Sequence, residues 1–169
     1  MSNRENMTKP GFMSDQDWEM LKDQTSSVER IRSDAKADVD DYLANPRGRS
    51  SGAGPSRLPT LLLTCLGRKS GEQRTVPLVF LQSGEDMIVV GSLAGYDRHP
   101  AWYLNISANP ECVVQLDSRK LKAVARDASE EEREELWPKL IAIFPLWEHF
   151  QKQTDRRFPV VILSPSGAV

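Results

Sequence analysis

Apolar positions recur along this chain in two rhythms, one helical and one alternating or clustered. Val28, Ile31, Ala35, Val39 and Tyr42 fall at helical intervals and predict a helix over 27–43, with Ser26 and Glu29 at capping-box spacing and a stop at Asn45-Pro46. A shorter helix is predicted over 14–22, where Ser14 and Asp17 are spaced as a cap and Trp18 and Leu21 share a face. Short β-rich runs at 60–66, 75–82 and 87–92, separated by GRKSGEQR and SGED, predict an antiparallel meander. Runs at 112–116 and 121–126 predict a hairpin about Asp117-Ser118, and 158–163 predicts a closing strand. Pro100 opens a predicted helix over 100–108 with Trp102, Tyr103 and Ile106 on one face. Ser129 and Glu132 cap another to about residue 143, which Pro145 interrupts before a segment over 146–154.

About six strands with flanking helices predict an α+β fold built on a closed or split antiparallel barrel. That pattern fits a doubly wound sheet less well, and neither GxGxxG nor GxxxxGK[ST], which nucleotide-binding sheets of that kind need, occurs. The 169 residues suit one main domain over 59–165. Ahead of it stand a polar leader (1–13) and the two helices with a Pro/Gly/Ser-rich stretch (14–58), whose PRGRSSGAGPSRL reads as a mobile linker or a loop over a site. Residues 166–169 read as a tail.

Charge narrows the partners. A net charge of -2 with 27% charged residues leaves no global basic field, so nucleic acid is not expected and any functional cation must act locally. Cys65 and Cys112 stand in no metal-ligand spacing, so both are expected as buried thiols and no metal is assigned. Without an apolar signal core or a run approaching ~20 apolar residues, the chain is expected in the cytoplasm. Phe12, Met13, Trp18 and Leu21 leave three uses open for the first helices: covering a pocket, forming a homodimer, or peripheral membrane contact.

Candidate chemistry begins in LLLTCLGRKSGEQRTVPL, residues 61–78, where a strand runs into a small cationic turn and back into a strand. Gly67 and Gly71 admit backbone conformations and close approach that a Cβ would obstruct, while Arg68, Lys69, Ser70 and Arg74 bring donors to one corner, as an anion cradle needs. Taken alone it is equally well a solvated hairpin turn. A second unusual segment, GSLAGYDRHPAWYLN over 91–105, gathers Ser92, His99, Trp102 and Tyr103 at a strand end and a helix start, where anions and planar rings are held. The acidic run 130–135 reads as a solvated helix face.

GRKSG followed by an Arg and a Pro, then HPAWY, an Asn and ANP, then TDR before the last strand, resemble in combination and order the deazaflavin (F420)-dependent nitroreductase family of split-barrel oxidoreductases. The resemblance covers roughly residues 59–165. It implies that Arg68, Lys69, Ser70 and Arg74, with Gln73 and Pro77 beside them, hold the phosphate and glutamate tail of coenzyme F420. It places Ser92 near the deazaflavin ring and His99, Trp102 and Tyr103 at the pocket wall. The implied reaction is hydride transfer from reduced deazaflavin to a small unsaturated, quinone or nitroaromatic substrate, with Ser92 or Tyr103 relaying the proton. The chain departs from the family pattern at Leu93 and Ala94, where relatives often carry Lys and Gly. It departs again at Phe144, Trp147 and Phe150, expected as a substrate wall in place of tyrosines. Two rivals stand beside this reading: an FMN-dependent split-barrel reductase, and a non-catalytic carrier of F420 or an apolar ligand.

Overall fold

The computed structural model describes Arg4 and residues 7–169. Its strands are β1 (Thr60–Leu66), β2 (Gln73–Val79), β3 (Leu81–Ser83), β4 (Asp86–Val90), β5 (Glu111–Leu116), β6 (Arg119–Asp127) and β7 (Val160–Ala168). They form one antiparallel sheet in the order β2-β1-β5-β6-β7-β4-β3. The expected run over 75–82 is two strands, broken at Phe80, which is 3% exposed and donates its N–H to Pro59 O at 3.1 Å. Because β2 and β3 follow each other in the chain yet form opposite edges, the sheet has to curl until its edges approach. The expected meander is therefore corrected: β4 pairs with β3 and β7, while β2 pairs only with β1. The closing strand is longer than expected, and residues 166–168 lie in β7, paired against β6, where a tail was expected.

Two cores result. Leu61, Leu63, Cys65, Met87, Val89, Val114, Val161 and Leu163 point into the curl. Ile88, Val90, Val160 and Ile162 alternate with them and face outward, under α4 (Glu130–Ile143) and α5 (Leu146–Gln151). β4 and β7 are thus apolar on both faces, which explains the continuous runs MIVV and VVIL. Both cysteines are buried within the curl, and burial, reinforced by Cys65, pushes the Cys112 thiol up to about 12.

The segment before β1 is part of the domain. α1 (Asp15–Gln24) is capped by Ser14, as expected, and α2 (Val28–Ala44) by Ser27, whose Oγ accepts from Arg30 N at 3.0 Å. Ser26, expected in that role, instead donates to Asp23 O at the end of α1. Tyr42, 1% exposed, fastens α2 to the sheet by donating to Thr60 O at 2.9 Å and accepting from Asp117 N at 3.1 Å. The stretch 46–58 is tied down rather than a linker, since the Asp117 carboxylate accepts from Gly48 N and Ser50 N at 3.0 and 2.7 Å. Asp117 takes φ 54 in the expected β5–β6 turn, a conformation Asp tolerates. Trp18 is buried in edge contact with His149, and Leu21 packs on the outer core, so two of the four residues considered for membrane contact are turned inward. Phe12 remains 61% exposed. Among the described residues no helix is long and apolar enough to cross a membrane.

Candidate functional site

A cleft of about 720 Å³ opens between α2, β2, the segment after β4 and the start of α3 (Ala101–Ala108). Val28, Ile31 and Ala35 share one face of α2 and form an apolar wall, with Arg32 beside them. Val76, Pro77 and Leu78 of β2 supply a second apolar surface. Pro77 is tolerated there because β2 is an edge strand. The question the sequence left open about the first helices is answered for α2: it covers the cleft.

The cationic turn divides. Its backbone closes through Gly71 N to Gly67 O and Gly67 N to Glu72 O, at 2.8 and 2.7 Å. Gly71 takes φ 71, and a Cβ on Gly67 would stand 2.8 Å from Ser70 Oγ, so both glycines are needed for the shape. Arg68 lines the cleft, oriented by the buried Asn105, whose Oδ1 accepts from Arg68 N at 3.1 Å and Nη1 at 3.0 Å. Lys69, Ser70, Gln73 and Arg74 sit on the exposed hairpin outside the cleft lining. There Ser70 Oγ accepts from Glu72 N, and Arg74 pairs with Glu72 at 3.2 Å.

Ser92, His99 and Trp102 line the cleft together with Arg68 and Pro77, so five of the expected site residues converge. The Ser92 hydroxyl makes no hydrogen bond to a described residue. The segment that carries it is strained, with Leu93 at φ 40 and Ala94 at φ 50 inside a single 3-10 turn over Leu93–Gly95. Arg156 holds it. Its guanidinium donates to Tyr96 O at 2.9 Å, Gly91 O at 2.9 Å and Ser92 O at 2.7 Å, and one Nη1 hydrogen faces His99 Nδ1 at 3.3 Å. Thr154 adds a hydroxyl bond to Asp97 at 2.6 Å. Arg4 closes the other side, its guanidinium stacking 4.0 Å over the Tyr96 ring and donating to the carbonyls of Ala94 and Thr25.

Tyr103 turns away from the cleft. Its hydroxyl donates to the Asp127 carboxylate at 3.0 Å, and burial followed by that carboxylate pushes its pKa up. Phe144, Trp147 and Phe150 also lie outside the cleft lining. Trp147 and Phe150 are 3% and 4% exposed in the outer core, and Phe144 packs on Trp147 with ring centroids 5.1 Å apart. Large rings on an amphipathic helix go first to the core it covers.

The sequence reading missed Arg156, Arg32 and Arg98. Arg156 was present in the TDR motif without a role, and Arg32 follows Ile31 on the helical stripe, so a signal existed for both. Arg32, Arg68 and Arg98 all line the cleft, and none is paired with a carboxylate among the described residues. By contrast Arg30, Arg49, Arg74, Arg126 and Arg157 each meet one. The cleft therefore joins apolar walls to three arginines that form no salt bridge among the described residues, with the Asp97 carboxylate also in its lining, a donor set that suits a planar ligand with an anionic extension.

The chain is similar to several known proteins. A Mycobacterium tuberculosis protein provisionally named a F420H(2)-dependent quinone reductase is 37% identical over 108 residues, 64% of this chain and 91% of its own. A F420H(2)-dependent quinone reductase of the same organism is 28% identical over 118 residues, 65% of this chain and 76% of its own. Among solved structures, the F420-H2 dependent reductase FDR-A aligns with a TM-score of 0.58 at 37% identity, over 63% of this chain and 94% of that one. A domain-swapped dimer aligns with a TM-score of 0.60 at 33% identity, over 89% of this chain and all of that one. Residues 39–165 match the family described as F420H(2)-dependent quinone reductase, and on that match the chain belongs to this family.

Proposed function

We propose that this chain reduces quinone-like acceptors with F420H2 bound in the cleft between α2, β2 and the Gly91–Pro100 segment. The observation that carries the reading is the joining of apolar walls to three arginines that form no salt bridge among the described residues. F420 combines a flat deazaflavin with a phosphate and a glutamate tail, and the donor set fits it: apolar side chains for the ring system, guanidinium groups for the anions. Arg68, Arg32 and Arg98 would hold the anionic part, Trp102, Val76 and Leu78 the planar part. Lys69, Ser70, Gln73 and Arg74, on the outer face of the hairpin, would reach only the far end of an extended tail. Bound there, the reduced deazaflavin supplies a hydride.

The protein's share is orientation, exclusion of water by α2, and delivery of a proton to the reduced acceptor. Ser92 Oγ, unengaged by described protein groups, is suited to that delivery. Tyr103 is less so, its proton being committed to Asp127.

Fluorescence titration with F420, followed by mixing with F420H2 and a soluble quinone, tests the reading. Saturable binding and quinone-dependent oxidation of F420H2 are expected. Tight F420 binding without oxidation by quinones, nitroarenes or enones would make the protein a carrier, and preferential binding of FMN would make it a flavin enzyme.

A further inference from the structure

We infer that Arg156 fixes His99 as the neutral tautomer protonated on Nε2, and that this single N–H donates to an acceptor oxygen of the ligand in the cleft. The inference rests on the proposed use of the cleft for its ligand. Its first half stands on bonding alone.

A guanidinium can only donate hydrogen bonds, and it stays charged at any ordinary pH. The Nη1 hydrogen that faces His99 Nδ1 at 3.3 Å therefore requires a lone pair on Nδ1. A neutral imidazole with a lone pair on one nitrogen carries its proton on the other. Arg156 is held against turning away, because it also donates to the carbonyls of Gly91, Ser92 and Tyr96, three points of one loop, and lies over the Phe158 ring at 4.9 Å. The His99 ring has little freedom either, packed on Tyr103 with centroids 4.9 Å apart and joined to Pro100 at the start of α3.

Burial and the nearest charge favour the same state, while the carboxylates around the ring oppose it. Arg156 approaches from the α5–β7 connection, Asp127 from β6 behind Tyr103, and Asp97 and Arg98 from the ring's own segment. Burial and then the Arg156 charge hold the imidazole below its ordinary value, against the weaker opposing pull of Asp127. Nε2 meets no hydrogen-bond partner among the described residues and is not sealed in the interior. His99 lines the same cleft as Ser92 and Trp102. A fixed donor of one polarity at that wall discriminates for carbonyl oxygen and against a cationic or N–H-bearing group. Arg156 is then a positioning residue for His99: from the same cleft lining it sets the polarity of a group that touches ligand.

The chain has only two histidines, so long-range ¹H–¹⁵N correlation on the full-length protein resolves both rings, with His149→Leu as the assignment control. At neutral pH His99 should show a protonated Nε2 and an unprotonated Nδ1, and Arg156→Met should return it to a mixture of tautomers. If Arg156→Met does not fold, Arg156→Gln, whose amide can accept as well as donate and so does not force a lone pair on Nδ1, makes the same comparison. A proton on Nδ1 in the unmodified protein, or an unchanged tautomer in the Arg156 variant, overturns the first half.

For the second half, F420 and quinone are titrated into His99→Gln, which keeps a donor near the Nε2 position, and His99→Asn, which does not. His99→Asn should lose about tenfold or more in affinity or kcat/KM while His99→Gln retains most of it. Equal behaviour of both variants and the unmodified protein overturns the donor role. Failure of the unmodified protein to bind F420 instead sinks the proposed function and the ligand half together, leaving the tautomer result intact.

Discussion

Ala94 shows how a single residue records a compromise. It stands at φ 50 beside Leu93 at φ 40, where a Cβ costs roughly 1–2 kcal/mol per residue. Ala94→Gly should therefore raise unfolding stability by about 1 kcal/mol in denaturant titration. A loss of stability would mean that the packing of the Ala94 methyl on the outer core outweighs the backbone strain. The histidines carry a second prediction. His149 Nε2 is the buried side-chain polar atom without a partner among the described residues, and burial, then Lys152, holds its pKa down. His99 is held down as well. Lowered folded values mean that the unfolded chain binds more protons, so this stability is present above 6.5 and lost as pH falls below it. Melting temperatures should decline between about pH 7 and about pH 5.5, and His149→Leu should flatten part of the decline. Identical slopes in the two proteins would remove His149 from the account.

At the scale of elements, the β1–β2 hairpin gives one exposed cation, Arg68, to the cleft lining and holds Lys69 and Arg74 outside it. The residue types that mark an anion cradle are all within GRKSGEQR, but a hairpin has two sides, and only the contact with Asn105 of α3 decides that Arg68 is the one inside. Arg68→Ala should weaken F420 binding by about tenfold or more, the worth of a charge-assisted bond, while Lys69→Ala should change it about twofold at most. Equal losses in the two variants would place the anionic tail along the outer hairpin. The expected substrate wall illustrates the same limit. Phe144, Trp147 and Phe150 have the right chemistry, yet the helical phase that suits a ligand wall is also the phase that suits a core, and Ile88, Val90 and Phe158 lie beneath them.

For the whole molecule, the helices before β1 are joined to the barrel by packing and by hydrogen bonds at two distant points, and these together hold α2 over the cleft. Tyr42 ties the end of α2 to β1 and the β5–β6 turn, while Arg4 and Tyr96 both bond Thr25 O between α1 and α2. Tyr42→Phe leaves Asp117 N and Thr60 O without that hydroxyl and should cost about 1–3 kcal/mol of stability. Because α2 forms the cleft wall, the same change should weaken F420 binding although Tyr42 touches no part of the cleft. Unchanged affinity with reduced stability would show that α2 keeps its place without the Tyr42 bonds, through its packing on β2 and the Thr25 contacts. The family match begins at residue 39, so the cleft-facing Val28, Ile31, Arg32 and Ala35 precede it.

By itself the sequence determined the helices with the caps Ser14 and Ser129, the β1–β2 and β5–β6 hairpins, the closing strand, the antiparallel class of the fold and the cationic turn, while the cap of α2 fell one residue later than expected, on Ser27. These depend on neighbours a few residues apart: a Ser before a helix, a Gly or Asp at positive φ, an apolar residue at every second or fourth place. Only the tertiary structure decided that Phe80 splits a strand, that β4 pairs with β7, that 46–58 is held by Asp117, that α2 walls the cleft, and that Arg156 orders the Gly91–His99 segment. Each of these is a contact between residues far apart in the chain, or a choice between two faces of one element. Local pattern fixes which residues can be buried or can donate; the curl of the sheet fixes what they meet.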